Sequence, residues 1–128
     1  STLMRSSAAS DVYKRQELLS SELLSGQIDT LVLYLLNKND SYGLDIYKQL
    51  KEITKYRVEL KETTLYSCYK RLETKGYIIS YWGDETNGAR RKYYSITQLG
   101  IEKLQEMVKI WNELFQILLS VYETVKTD

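Results

Sequence analysis

The sequence contains no histidine and no proline, and it has a single cysteine, Cys68. Without histidine, a histidine-based catalytic triad, a histidine metal site and the usual general base are excluded. One cysteine rules out an internal disulfide and a cysteine-cluster metal site. We therefore expect no metal, no cofactor and no enzymatic activity. The lone thiol fits a reducing, cytoplasmic location, and we interpret it as a small buried hydrophobe, with a redox sensor as the alternative.

Net charge and long apolar runs are also scarce. The 128-residue chain has a formal net charge of only +1, so any cationic function must come from local segregation of charge. No apolar run approaches the ~20 residues of a membrane span, and the first residues lack the apolar core of a signal peptide. A hydrophobic content of 43% with 27% charged residues is typical of a globular domain with a modest core. We expect one domain and no membrane partner.

Apolar residues recur at helical spacing in three segments, at residues 17–37, 42–55 and 62–75. This pattern predicts three successive helices. The turn before the second helix offers Ser41 or Asp40 as its N-cap. In the third helix the side chains predicted to face inward are Leu65, Tyr69 and Leu72.

Gly76 is expected to end the third helix with a left-handed backbone. Tyr77–Trp82 and Arg91–Ile96 then flank a turn rich in glycine and polar residues, which predicts a β-hairpin on which Trp82 packs. Thr97 is predicted to cap a long last helix over residues 98–124. Three helices followed by a hairpin are the order of a winged helix-turn-helix, so the predicted fold class is mainly α with a small β-hairpin.

The last helix has its own apolar pattern, a heptad seam. The seam residues are Ile101, Leu104, Val108, Trp111, Phe115, Leu118, Tyr122 and Val125. Further apolar residues lie outside the seam, and a small three-helix domain has too little surface to cover them all. A helix from a second copy, related by twofold symmetry, is the economical solution and predicts a homodimer. By itself, a tryptophan in such a seam is more typical of interface core than of a ligand site.

These patterns divide the chain into three parts. Residues 1–16, polar and rich in small side chains, are expected to be a flexible leader, for which a non-native origin is one interpretation. Residues 17–97 are expected to form a winged-helix DNA-binding domain. Residues 98–128 are expected to form a dimerisation helix and tail.

The third helix is the candidate recognition helix, because the second helix of a helix-turn-helix enters the major groove. Its outward side chains could reach base edges and phosphates; they are Thr63, Thr64, Tyr66 at the boundary, Ser67, Lys70 and Arg71. Arg90, Arg91 and Lys92 begin the return strand of the hairpin and would form a cationic wing against flanking phosphates and the minor groove. The alternatives are an ordinary solvated helix face and a solubilising hairpin tip.

The segments "TTLYSCYKRLETKGYI" and "ARRKYYSITQLG" resemble the PadR family of winged-helix transcriptional repressors. The shared features are the tyrosine after threonine-leucine, the "KRLE" run, the glycine stop, the basic strand and the "T-x-x-G" entry to the last helix. "SYWGDE", "RRKYY" and Trp111 are most similar to the LmrR-like multidrug-sensing subgroup. The resemblance covers residues 22–123.

The resemblance implies a homodimer joined through the last and first helices, bound to a roughly palindromic double-stranded DNA operator. In the LmrR-like subgroup the dimer encloses a flat hydrophobic pore, where paired tryptophans stack planar aromatic effectors. Carried over to this sequence, Trp111 is the stacking residue. The other pore residues would be Leu23, Thr30, Tyr34, Val108 and Phe115.

Three positions depart from the subgroup pattern. Phe115 replaces an acidic residue, which removes an attraction for cationic compounds, and Tyr34 replaces a smaller asparagine. Lys61 stands where an asparagine would cap the recognition helix, which weakens that cap by ~1 kcal/mol.

Three hypotheses of function follow. The first is a ligand-responsive repressor whose operator affinity is modulated in the central pore. The second is a DNA-binding regulator with no small-molecule ligand, in which Trp111 is interface core. The third is a dimeric protein-interaction module that has lost DNA binding.

Overall fold

The computed structural model describes Leu19, residues 24–84 and residues 90–125. Within this part of the chain the elements are α1 (Ile28–Lys38), β1 (Ser41–Tyr42), α2 (Gly43–Ile53), α3 (Glu62–Thr74), β2 (Ile78–Trp82), β3 (Lys92–Ile96) and α4 (Gln98–Tyr122). The predicted fold class, mainly α with a small antiparallel sheet, is confirmed. The leader, Leu23 and the tip of the hairpin at residues 85–89 lie outside the described residues. No helix in the described part is both long and apolar enough to cross a membrane.

Helix α1 is the centre of the domain, because it contacts α2, α3, α4 and β3. Leu24 and Ser25 precede it in helical conformation, and a turn at Gly26 and Gln27 separates them from α1. The first predicted helix, residues 17–37, is therefore divided at this glycine, and Leu19 within the predicted span is not helical. The fully buried side chains of the domain come from α1, α2, α3 and β2 and include Val32, Leu33, Leu36, Ile46, Leu50, Leu65, Tyr69, Leu72 and Ile78. Burial of each large aliphatic or aromatic side chain stabilises the fold by about 1.5–3 kcal/mol relative to exposure.

The sheet has three antiparallel strands in the order β1-β3-β2 within the described residues. The hairpin of β2 and β3 was predicted, but β1 was not. Ser41 pairs with Tyr94 and Tyr42 with Tyr93, so β1 exists because a distant strand supplies its hydrogen-bond partners. The predicted N-cap is wrong: Tyr42 occupies the cap position with no side-chain hydrogen bond, and the Ser41 hydroxyl donates to Asp45 Oδ2 at 2.6 Å.

Gly76 and Thr97 perform the roles predicted for them. Gly76 has φ of 80°, the left-handed conformation that ends α3. The Thr97 hydroxyl accepts a hydrogen bond from Gly100 N at 3.0 Å, capping α4, and donates to Gly76 O at 2.6 Å. The turn after α3 is thereby joined to the start of α4.

Most of α4 lies beyond the domain that its first turns contact. Gly100 and Leu104 are its buried residues. Farther along, large apolar side chains are exposed in the single chain, including Val108, Ile110, Phe115, Ile117, Leu118, Val121 and Tyr122. The helix therefore presents a long apolar surface that the described part of one chain does not cover.

Candidate nucleic-acid interface and the groove between the N-terminal segment and α4

A buried hydrogen bond positions α3 against α2, and an aromatic contact lies within α3 itself. The Tyr69 hydroxyl donates to Gly43 O at 3.0 Å, and the rings of Tyr69 and Tyr66 meet edge to face with centroids 5.4 Å apart. Burial raises the pKa of Tyr69, so it remains a neutral donor. The predicted inward residues of α3 are confirmed: Leu65, Tyr69 and Leu72 are each only 1% exposed.

The start of α3 is weakly capped, as predicted from Lys61. That residue occupies the cap position and makes no side-chain hydrogen bond to the helix. Packing against α2 and α1, and not local capping, therefore fixes where α3 begins.

All the predicted α3 contact residues lie on its exposed face: Thr63, Thr64, Tyr66, Ser67, Lys70 and Arg71. They are not equally available. The Ser67 hydroxyl donates to Thr63 O at 3.0 Å, and Arg71 forms an ion pair with Asp29 at 2.6 Å. Lys70 has no ion-pair partner among the described residues.

The wing cations Arg91 and Lys92 each lie over a tyrosine ring. The Arg91 guanidinium lies 4.6 Å from the Tyr42 ring centroid, and Lys92 Nζ lies 5.7 Å from that of Tyr94. Arg90, Arg91 and Lys92 are all exposed. Cation–π contacts hold such side chains in place while leaving their charge available to an anion.

A groove of about 260 Å³ joins the recognition helix to the wing. Its lining residues are Tyr42, Gly43, Leu44, Tyr66, Arg91, Lys92 and Tyr94. The groove thus brings together the amino end of α2, one face of α3 and the cationic strand. Sequence reasoning identified Tyr66, Arg91 and Lys92 but missed the α2 contribution, for which an unpredicted strand, β1, is responsible.

Trp82 does not pack as expected. It is 60% exposed and pairs across the hairpin with Lys92. Its position at the far end of β2, past the helices, leaves no core for the indole to enter.

A second groove, of about 470 Å³, lies between α4 and the segment before α1. It is lined by Leu24, Gln27, Trp111, Asn112 and Phe115. Trp111 and Phe115 were expected here, whereas Leu24, Gln27 and Asn112 were not. Gln27, at the start of α1, and Asn112, within α4, are polar and carry no periodic signal that would have identified them. Thr30, Tyr34 and Val108 are not among the residues that line this groove in the single chain.

Two residues that line this second groove, Gln27 and Trp111, carry buried polar atoms without a hydrogen-bond partner among the described residues. Trp111 Nε1, Gln27 Oε1 and Thr30 Oγ1 are buried and have no hydrogen-bond partner among the described residues. Native proteins rarely leave such atoms unsatisfied. The Trp111 donor and the Gln27 acceptor therefore lie beside a groove where a ligand or a second copy of the chain could satisfy them.

Cys68 is buried, as predicted, and its environment disfavours redox chemistry. Burial raises the pKa of the thiol, and its hydrogen bond to Asp29 raises it further. The reactive thiolate is therefore scarce near neutral pH, which argues against the redox-sensor alternative.

The fold and the exposed cationic face define a winged-helix DNA-binding protein. Residues 32–106 match the sequence model of the PadR-like family of transcriptional regulators. A transcriptional regulator from Clostridium thermocellum is 41% identical, with a TM-score of 0.74 over 80% of this chain and 97% of its own. A PadR family transcription regulator from Clostridium difficile is 37% identical, with a TM-score of 0.67 over 75% and 98% of the two chains.

An uncharacterised protein from Lysinibacillus sphaericus is 39% identical over 101 residues, covering 79% of this chain and 93% of that protein. The chain belongs to the PadR-like family of transcriptional regulators. It is a DNA-binding regulator of transcription and not an enzyme.

Proposed function

We propose that this regulator is a homodimeric repressor that binds a roughly palindromic operator, with an affinity modulated by planar aromatic compounds. The observation that carries the DNA-binding part is the groove in which Tyr66 of α3 meets Arg91 and Lys92 of the wing. Local segregation of these cations on one face supplies the attraction for phosphate that a net charge of +1 cannot.

The homodimer is supported by the apolar surface of α4. Val108, Phe115 and Ile117 are 54%, 59% and 60% exposed in the single chain, along one helix that its own domain does not cover. A twofold pairing of α4 helices would bury this surface and place two recognition helices on one side of the DNA.

Effector binding is supported by the groove that Trp111 and Phe115 line. In a twofold dimer the two grooves would face one another, and the indole faces would form the walls of a shared pore. The unpartnered Trp111 Nε1 and Gln27 Oε1 supply polar contacts at its edge. The ligand shifts operator affinity only to the extent that it binds one dimer arrangement more tightly than the other. In the alternative, Trp111 is interface core and no ligand binds. A ligand titration distinguishes the two.

The DNA-binding part is tested with the double variant Lys70→Ala, Arg91→Ala. A duplex that the wild type selects from a random-sequence pool is the probe, and affinity is measured over a range of salt concentrations. If each side chain contacts a phosphate, the salt slope of the double variant falls by about two relative to the wild type. An unchanged slope with unchanged affinity would contradict the assigned face. Lys48→Ala, on the exposed face of α2, controls for the loss of one positive charge away from the assigned face.

The effector part is tested by fluorescence titration of Trp111 in a Trp82→Phe background. Matched neutral and cationic planar aromatic compounds are the probes. Saturable quenching with one ligand per dimer supports the pore, and the charge preference reports the effect of Phe115. No quenching, with DNA binding intact, would establish the alternative in which Trp111 is structural.

A further inference from the structure

One carboxylate connects the central helix α1 to the recognition helix α3. Asp29 lies in the first turn of α1, whereas Cys68 and Arg71 lie on α3. Arg71 Nη2 donates to Asp29 Oδ1 at 2.6 Å and Arg71 Nε donates to Oδ2 at 3.3 Å. The Cys68 thiol donates to Oδ1 at 3.0 Å. Three donors on α3 therefore converge on a single side chain of α1.

The Arg71 and Asp29 side chains are 46% and 30% exposed, but the geometry of their contact differs from that of a simple surface ion pair. An exposed pair contributes little, because long side chains lose entropy and water screens the charges. Here the guanidinium engages the carboxylate through two nitrogens, a geometry that fixes direction as well as distance. The third donor, Cys68, is 1% exposed and is fixed in the core. The cluster consequently sets the position of α3 relative to α1 more than it adds to the total stability.

The same contacts change what Arg71 can do for DNA. Its charge is already paired with Asp29, so its transfer to a phosphate would leave that carboxylate without its ion-pair partner close to the DNA. Lys70, the next residue along α3, is exposed and has no carboxylate partner among the described residues. Of these two neighbouring cations, Lys70 is thus the one suited to a phosphate contact.

We infer that Asp29 is a positioning residue for DNA binding, which holds α3 through Arg71 and Cys68, and that Arg71 acts through Asp29 and not by contacting DNA. This inference rests on the proposed operator binding. It revises the expectation that Arg71 belongs to the DNA-contacting set, and it adds a residue, Asp29, that lies on a different helix.

The two roles of Arg71 predict opposite effects of Asp29→Asn. If Asp29 positions α3, its neutralisation loosens α3 and weakens DNA binding by roughly 2- to 30-fold. If Arg71 instead contacts phosphate, the same variant releases Arg71 from its partner and removes a negative charge, so DNA binding becomes tighter. Affinity for a duplex that the wild type selects from a random-sequence pool measures the sign directly.

The salt dependence provides a second readout that a purely structural role would not change. Lys70→Gln, the matched control, should lower the salt slope by about one. Arg71→Gln should weaken binding at every salt concentration and leave the slope at its wild-type value. The charge swap Asp29→Arg, Arg71→Asp should recover part of the affinity lost in Arg71→Asp alone, because the pair is restored in reverse.

Three outcomes would overturn the inference: tighter binding by Asp29→Asn, a slope lowered by about one in Arg71→Gln, or no recovery in the charge swap. All variants are compared below their unfolding transitions, measured by circular dichroism. A wild-type protein that selects no duplex would overturn the proposed operator binding itself, and this inference with it. The two failures are therefore distinguishable.

Discussion

The hydroxyl of Thr97 serves two elements at once, because it caps α4 through Gly100 N and also binds Gly76 O. Gly76 and Gly100 are required for different physical reasons. Gly76 has a positive φ, which suits a residue without a Cβ. Gly100 has no such conformation; a Cβ there would collide with Tyr77 O and lie 2.7 Å from Ile96 Cγ1. The threonine and glycine of the "T-x-x-G" segment thus bring the first turn of α4 close against the backbone that precedes β2.

Gly100→Ala should destabilise the protein by about 1–3 kcal/mol, because the added methyl group meets a backbone carbonyl that cannot move independently. The measurement is the midpoint of urea unfolding at constant protein concentration. Gly26→Ala is the matched control, since the atom nearest its added Cβ would be Trp111 Cζ2 at 4.0 Å, an ordinary contact. Equal effects of the two substitutions would mean that close packing at Gly100 is not the cause.

The helices depend on contacts between elements as much as on their own sequences. Helix α3 has an uncapped start at Lys61. Its position is fixed instead by the hydrogen bond from its Tyr69 hydroxyl to α2 and by the contact of its Cys68 with Asp29 of α1. Burial alone would raise the pKa of Asp29, but hydrogen bonds from Arg71 and Cys68, with the charges of Arg71 and Lys75, outweigh it and lower the pKa below the ordinary 3.8. The contact between α1 and α3 is therefore sensitive to acid.

A carboxyl group with a lowered pKa in the folded state contributes stability above its unfolded pKa, and loses it as the pH falls through the folded value. The wild type should thus lose stability relative to Asp29→Asn as the pH falls from about 4. Urea unfolding of both proteins between neutral pH and pH 3 measures this difference. The other carboxylates contribute nearly equally to the stability of both proteins, so their contributions largely cancel. A difference independent of pH would show that Asp29 is not held as an ionised partner of α3.

Over the whole molecule, the distribution of apolar residues is uneven. The winged-helix domain buries its core, whereas α4 extends 25 residues and keeps only Gly100 and Leu104 buried. Contiguous exposed apolar surface of this extent is typical of an interaction site. The proposed twofold pairing accounts for it and also gives two recognition helices a fixed separation.

Leu118→Glu tests this pairing. Leu118 is 37% exposed in the single chain and belongs to the heptad seam. A carboxylate at a paired apolar surface should raise the dimer dissociation constant by at least about tenfold, measured by sedimentation equilibrium. Gln116→Glu, an exposed polar position on the same helix, controls for charge alone. A monomeric wild type, or a Leu118→Glu dimer as stable as the wild type, would contradict pairing through this seam.

Local patterns in the sequence determined most of the elements. The three described helices of the domain follow the 3.6-residue period of their apolar residues, and the hairpin follows strand alternation. Gly76 indicated where α3 ends, and Thr97 indicated where α4 begins. These predictions succeeded because helix periodicity, caps and turns depend on residues only a few positions apart.

Tertiary structure decided what depends on residues far apart in the chain. Strand β1 is two residues long and exists only because β3 pairs with it. Asp29 and Arg71 are 42 positions apart, so no local pattern indicates that they meet. The exposure of Trp82 and the place of Gln27 and Asn112 beside Trp111 likewise follow from how the elements pack. The sequence alone indicated which polar and cationic side chains lie on the outer face of α3, and packing decided which of them are already bonded to other residues.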